Sequence, residues 1–305
     1  MDAERVDPQV RAARRMPDIP VYRWWGRLLV RTGVHLLPRD RRPGVQVRRV
    51  YRPRLRVYQP MAPGRTSGTG ALLWFHGGGL VSGAAVMDDR LCAAVAEELG
   101  ITVVSADYRL APRHPFPAAH QDVLIAWQWL QDHAEQLGVD PGRVALGGGS
   151  AGGNLAAGLV LHLADMGGVQ PAAQWLFAPM LDDRTATHRE LDRIEHWVWD
   201  NRSNHFGWSV YLGTEPGSRE VSDHAAPARR EDLSGLPPTW LSVGDLDLFL
   251  QEGVAYADRL AGAGVPVTLE VVPDVPHGFE GWAPEADVSR AVEQRARDWL
   301  AAALG

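Results

Sequence analysis

Lysine is absent from this chain of 305 residues; all 31 basic side chains are arginine. Together with abundant Ala, Gly and Pro, this reads as coding bias from a GC-rich genome and carries no functional inference. Cysteine is nearly absent too. With Cys92 alone, an intrachain disulfide and a Cys-based metal cluster are both excluded, and a reducing cytoplasm is the expected setting. No apolar run approaches the ~18 residues of a membrane span; the richest, Leu155 to Ala164, is too short. The opening MDAERVDPQVRAARR has no apolar core and does not read as a secretory signal. A basic surface is also missing. The net charge is −6, which argues against a nucleic-acid partner. Repeats, low-complexity tracts and long linkers are not found, so one large α/β domain is expected.

What is present is an alternation of strand and helix patterns. VQVRRVY and LRVYQP, within residues 45–60, alternate with period two and read as an edge hairpin. Strands are expected at 71–76, 101–108, 143–148, 172–178, 239–244 and 266–272. Helices are expected from about 88 to 99, at 117–137, 151–166, 249–263 and 284–304. Such alternation implies a mainly parallel sheet covered by helices on both faces. Two stretches stand outside it. Residues 1–43 carry arginine runs (Arg14-Arg15, Arg41-Arg42) and an apolar helical patch of Tyr22, Trp24, Trp25, Leu28 and Leu29. Residues 182–236 are rich in Arg, His, Trp and Asp and follow a strand end. Together they are expected to form a helical cap over a catalytic domain spanning 44–305.

Three motifs carry chemistry. GGGSAGG at 147–153 contains G-x-S-x-G, with Gly148, Ser150 and Gly152, between an expected strand and an expected helix. A serine on so sharp a turn needs glycine two residues to either side, and the helix that follows points its positive end at the site. HGGG, His76 to Gly79, follows a strand. Its glycines leave the backbone N–H groups of Gly77 and Gly78, with that of Ala151, free to face an oxyanion. A base and an orienting acid should follow on later strand ends. Asp245 and Asp247 lie in SVGDLDLF, and His277 in VPHGFEGW. Of 11 histidines, His277 alone sits after the last expected strand. His120 and His133 fall on a helix and are expected at the surface; His188, His196, His205 and His224 fall in the 182–236 stretch.

These motifs, with DYRLAPRHPFPAA (107–119), DPGRVALGGGSAGGNLA (140–156), LDLFLQEGVAYA (246–257) and PHGF (276–279), resemble the hormone-sensitive-lipase-like family of α/β-hydrolases from about residue 45 to the C-terminus. The resemblance implies an α/β-hydrolase fold and ester hydrolysis through an acyl-enzyme. It implies Ser150 as nucleophile, His277 as base, Asp247 as acid with Asp245 in reserve, and Gly77, Gly78 and Ala151 as oxyanion donors. No cofactor or metal is implied; the expected partner is a small-molecule ester, with neither nucleic acid nor stable membrane association, and family members often form homodimers. Two positions depart from the family pattern. Gly149 replaces the acid of GDSAGG, whose side chain joins a polar network behind the turn, and Gln251 replaces an Asp. DYRLAP reads as scaffold. Trp197, Trp199 and Trp208 either line a pocket or pack the cap. A peptidase or amidase with the same triad is an alternative, as is a receptor on this fold that does no chemistry. Short acyl chains are the expected substrates, because the cap is bulky and an arginine-rich interfacial helix is not evident in the sequence.

Overall fold

The computed structural model describes residues 1, 3–14, 18–36, 42–61 and 68–305; Arg15 and Arg41 of the arginine runs lie outside them. The strands are β1 (Val45–Tyr51), β2 (Arg54–Pro60), β3 (Thr69–Phe75), β4 (Thr102–Ala106), β5 (Val139–Gly149), β6 (Ala173–Phe177), β7 (Thr239–Gly244) and β8 (Val267–Val272). They form one sheet in the order β1-β2-β4-β3-β5-β6-β7-β8. The β1–β2 hairpin is antiparallel and joins β4 antiparallel; every pairing from β4 through β3 to β8 is parallel. β4, β6 and β7 are buried along their whole length and β3 at all but its first residue, as apolar runs require when both faces are covered.

The helices are α1 (Pro8–Ala13), α2 (Trp24–Gly33), α3 (Asp89–Leu99), α4 (Ala118–Asp132), α5 (Ala134–Leu137), α6 (Ala151–Met166), α7 (Asn201–Leu212), α8 (Leu250–Gly262), α9 (Phe279–Trp282) and α10 (Asp287–Leu304). One face of the sheet packs against α4, α6 and α8, through Val123, Leu130, Leu155, Leu159, Tyr256 and Leu260. The other packs against α3 and α10, through Cys92, Val95, Val292, Ala296 and Leu300, with Val6 and Val10 of the N-terminal segment added. Each of the Val and Leu side chains among them contributes roughly 1.5–3 kcal/mol by burial. The expected helix at 117–137 divides at His133 into α4 and α5. The expected last helix starts at Asp287, with the single turn α9 before it. Among the described residues, no helix is long and apolar enough to cross a membrane.

The two stretches outside the alternation touch each other. Asp18 accepts from the backbone N–H of Val198 at 2.9 Å, Arg14 lies over the Trp197 ring at 4.1 Å, and Arg27 lies over Phe206 at 4.7 Å. Arg5 reaches Asp245 at 2.7 Å and Asp274 at 3.2 Å, so the N-terminal segment also spans the loops after β7 and β8. The apolar patch expected to pack inward behaves differently. Trp24 is 70% exposed, and Leu28 and Leu29 are 54% and 50% exposed. α2 is therefore an amphipathic helix with Arg27 and Arg31 beside an open apolar face, a feature the short sequence pattern did not bring out.

The crossing of α6 over β3 and β5 is tight. A Cβ on Gly152 would lie 1.9 Å from the carbonyl oxygen of Phe75, and one on Gly148 would lie 2.2 Å from the carbonyl carbon of Gly152. Both obstacles are backbone and cannot step aside. At Gly149 a Cβ would meet nothing nearer than Trp74 Cζ2 at 3.9 Å. Gly152→Ala is therefore expected to lower stability by roughly 1–3 kcal/mol, and Gly149→Ala to stay within ~0.5 kcal/mol of the parent. Thermal or urea unfolding of the two variants checks this; equal stabilities would contradict the crossing geometry.

Candidate active site

Ser150 stands between the end of β5 and the first turn of α6, with φ 55° and ψ −119°. A non-glycine residue in that region is strained and persists only where the surroundings hold it. Here they do. Its N–H donates to Phe177 O at 2.8 Å, and its carbonyl accepts from Met180 N at 3.1 Å and Asn154 N at 3.2 Å. The Oγ atom lies 2.9 Å from Nε2 of His277.

His277 sits on the loop after β8, buried at 5% exposure. Its Nδ1 lies 2.8 Å from Oδ2 of Asp247, and Phe249 meets its ring edge to face at 5.2 Å. The other Asp247 oxygen accepts from the Phe249 N–H at 2.8 Å, so the carboxylate is fixed at both ends. Asp245 faces elsewhere. It accepts from Asp274 N at 2.7 Å and pairs with Arg5, holding the β8 loop and the N-terminal segment together. The structure thus brings Ser150, His277 and Asp247 into one hydrogen-bonded row and leaves Asp245 outside it. Burial disfavours the charged imidazole, but attraction and hydrogen bonding from Asp247 outweigh it, and the His277 pKa is raised above the ordinary histidine value of 6.5.

Gly77 lies against the serine turn: a Cβ there would be 3.3 Å from Gly149 O and 3.5 Å from Ser150 Cβ. Gly78 has φ 113°, with Ser82 O 2.3 Å from where its Cβ would be. The N–H groups of Gly77, Gly78 and Ala151 take part in none of the turn and loop hydrogen bonds among the described residues. His76 and Tyr108 brace this loop. Their rings stack at 4.2 Å, the Tyr108 hydroxyl donates to His76 O at 2.7 Å, and His76 Nδ1 lies 2.7 Å from Gly77 O. The rest of DYRLAP is scaffold as expected. Asp107 accepts from Ala85 N at 2.7 Å and Arg109 pairs with Asp122 at 2.9 Å.

Three features were not legible in the motifs. Trp199 is buried against the HGGG loop, where a Cβ on Gly79 would strike its ring at 1.9 Å; Trp197 instead lies tilted against Trp282 at 6.5 Å, and Trp208 against Tyr211 at 6.1 Å. His196, 8% exposed, carries an Nδ1 without a partner among the described residues. Burial lowers its pKa, opposed by the field of Asp247. Nothing in the sequence separates it from the other histidines of that stretch. Behind Gly149, the volume that an acid side chain would use faces Trp74, which joins Trp175 and Phe177 at 5.5 and 5.8 Å and donates to Asp88 at 2.7 Å. The turn is thus backed by an aromatic cluster. At the second departure, Gln251 is exposed, while its neighbour Glu252 is buried and accepts from Leu181 N at 2.6 Å. A separate cleft of 710 Å³, lined by Arg31, Arg54, Asp107, Arg109 and Arg113, holds none of the Ser150, His277 and Asp247 row.

A family model described as alpha/beta hydrolase fold matches residues 72–281, and the chain belongs to this family, in its hormone-sensitive-lipase-like branch. It is 35% identical over 228 residues to Esterase LipI of Mycobacterium tuberculosis, covering 75% of this chain and 71% of that one. It is 34% identical over 226 residues to an ethyl acetate hydrolase of Pseudomonas putida, covering 74% and 70%. Among solved structures, a bacterial heroin esterase superposes with a TM-score of 0.90 at 36% identity over 100% of both chains.

The raised pKa of His277 fixes the sign of a pH effect. A base must be neutral to accept a proton, so kcat/KM for an ester should fall on the acid side with a midpoint above 6.5. Asp247→Asn should move that midpoint down and cut kcat by roughly 10⁴-fold, through loss of the productive tautomer. Asp245→Asn should leave the midpoint in place and the rate within a few-fold. A pH–rate profile of both variants checks this; the reverse ranking would assign the acid to Asp245.

Proposed function

We propose that this protein is a serine carboxylesterase in which Ser150, His277 and Asp247 form the catalytic triad. The observation that carries the reading is the unbroken row Ser150 Oγ–His277 Nε2 at 2.9 Å and His277 Nδ1–Asp247 Oδ2 at 2.8 Å. It lies beside Gly77 and Gly78, whose N–H groups take part in none of the turn and loop hydrogen bonds among the described residues.

In this mechanism His277 takes the Ser150 proton as Oγ attacks the ester carbonyl. Asp247 keeps the proton on Nδ1, so that Nε2 presents its lone pair, and then stabilises the imidazolium. The oxyanion is received by the N–H groups of Gly77, Gly78 and Ala151, each worth on the order of 3 kcal/mol. His277 returns the proton to the leaving alcohol. Water, deprotonated by the same imidazole, releases the acid from Ser150. A receptor role that dispenses with the base is disfavoured by the direct contact between His277 and Ser150.

Residues 1–43 and 182–236 act in this reading as the cap over the catalytic domain. Support comes from the contacts of Asp18 and Arg14 with Val198 and Trp197, and from the bridge of Arg5 to the acid and base loops. The acyl pocket takes short chains, of about two to six carbons. The Trp199 ring packed on Gly79 limits its volume, and the ethyl acetate hydrolase relative is named for an acetate ester. A soluble ester in a reducing cytoplasm is the proposed setting, which suits the single free, buried Cys92.

A series of p-nitrophenyl esters from two to twelve carbons, with an acetanilide as amide counterpart, is the test. kcat/KM should peak at six carbons or fewer, the amide should be far slower, and Ser150→Ala should lose at least ~10³-fold in kcat. A peak at ten carbons or more, or a jump in rate on emulsified substrate, would overturn the short-chain assignment and give the exposed face of α2 an interfacial role.

A further inference from the structure

His120 was expected at the surface, yet it is 3% exposed. It projects from α4 into a contact with His162 of α6 and His224 of the loop at 222–226. The His120 Nε2 and His162 Nδ1 atoms are 2.7 Å apart. The three rings lie nearly parallel, with centroids 4.8 to 5.5 Å apart. One ligand nitrogen from each falls within 4.8 Å of the others. The buried Nδ1 of His120 has no partner among the described residues. Asp165, one turn beyond His162 on α6, accepts from His224 Nε2 at 2.7 Å. It is also paired with Arg230.

We propose that His120, His162 and His224 form a structural binding site for a first-row divalent metal ion, zinc in the first instance, that clips the base of the 182–236 stretch to α4 and α6. Imidazole is a ligand of choice for such ions. Nitrogens bound at about 2.0–2.1 Å in a tetrahedral site stand ~3.3 Å apart, so rotation of the side chains is enough to gather the three around one ion. Asp165 then has the place of the carboxylate that fixes a metal-bound histidine through its other nitrogen: with the Nε2 proton held by Asp165, His224 presents Nδ1. The backbone around the cluster is held independently. Asn154 Nδ2 donates to Ala225 O at 2.9 Å, and a Cβ on Gly158 would be 2.3 Å from His224 O, so the loop and α6 are already docked for the ligands to meet. His162 is 12 residues along α6 from Ser150, a span of ~18 Å. The ion is thus a clip and no participant in ester hydrolysis.

The experiment is a zinc titration of the chelator-treated full chain by calorimetry, with thermal unfolding run in parallel. One zinc per chain and a raised Tm are expected. His162→Gln and His224→Gln, at partly exposed positions, should each weaken binding at least tenfold and abolish the Tm rise. Asp165→Asn should weaken it about 10- to 100-fold. Esterase activity of the metal-free variants should match the metal-free parent, which separates this proposal from the assignment of Ser150. Zinc should also protect His162 and His224 of the unmodified chain from diethyl pyrocarbonate, a readout that needs no variant to fold. Absence of zinc binding, binding undiminished in both glutamine variants, or failure to protect either histidine overturns the proposal.

Discussion

The turn that carries Ser150 depends on a close approach of backbones. α6 crosses β3 and β5 with no room for a single Cβ at Gly148 or Gly152. That crossing forces the chain through φ 55° and ψ −119° at Ser150 and lifts Oγ clear of the sheet. The local conformation is unfavourable by itself and is sustained by hydrogen bonds from the β6 end and the first turn of α6. The same crossing brings Gly77 within van der Waals reach of the serine, so Ser150 and the glycine loop are positioned by one contact.

Around that turn the parts hold one another. The carboxylate of Asp247 is oriented by a backbone N–H of its own loop, and Asp245, two residues earlier, ties the β7 loop to the β8 loop and to Arg5. Two acids on one short loop therefore have different tasks, one electrostatic toward His277 and one mechanical toward the loop that carries it. Trp282 donates to the carbonyl of His277 at 3.1 Å and its ring lies tilted against Trp197, which connects His277 to the 182–236 stretch. Trp199 does the same for the HGGG loop.

Much of the sheet was legible, because parallel central strands are continuous apolar runs and every strand from β3 to β8 ends in a Gly, Pro or Asp signal. The candidate site was legible where its chemistry demands glycine: Gly148 and Gly152 beside Ser150, and Gly77 and Gly78 after β3. What escaped depends on tertiary contacts that leave no periodic trace. His120 looked like a surface residue on a helix, yet it faces His162 of α6 and His224 of the loop at 222–226. The apolar face of α2 was expected to pack within a cap but is exposed, since a hydrophobic pattern cannot say what it packs against. Gly149 looked like a loss of support, because a motif cannot show that the turn is backed by the aromatic cluster of Trp74, Trp175 and Phe177.

The central claim is that Ser150 is the one activated nucleophile, and covalent labelling tests it most directly. The folded protein treated with a p-nitrophenyl alkylphosphonate should release one nitrophenolate per chain, and peptide mass spectrometry should find the phosphonyl group on Ser150. The His277→Ala variant, folded by circular dichroism, should label at least ~10³-fold more slowly, since the serine and its base act as a unit. An adduct on another residue, or labelling that is unimpaired without His277, would contradict the account.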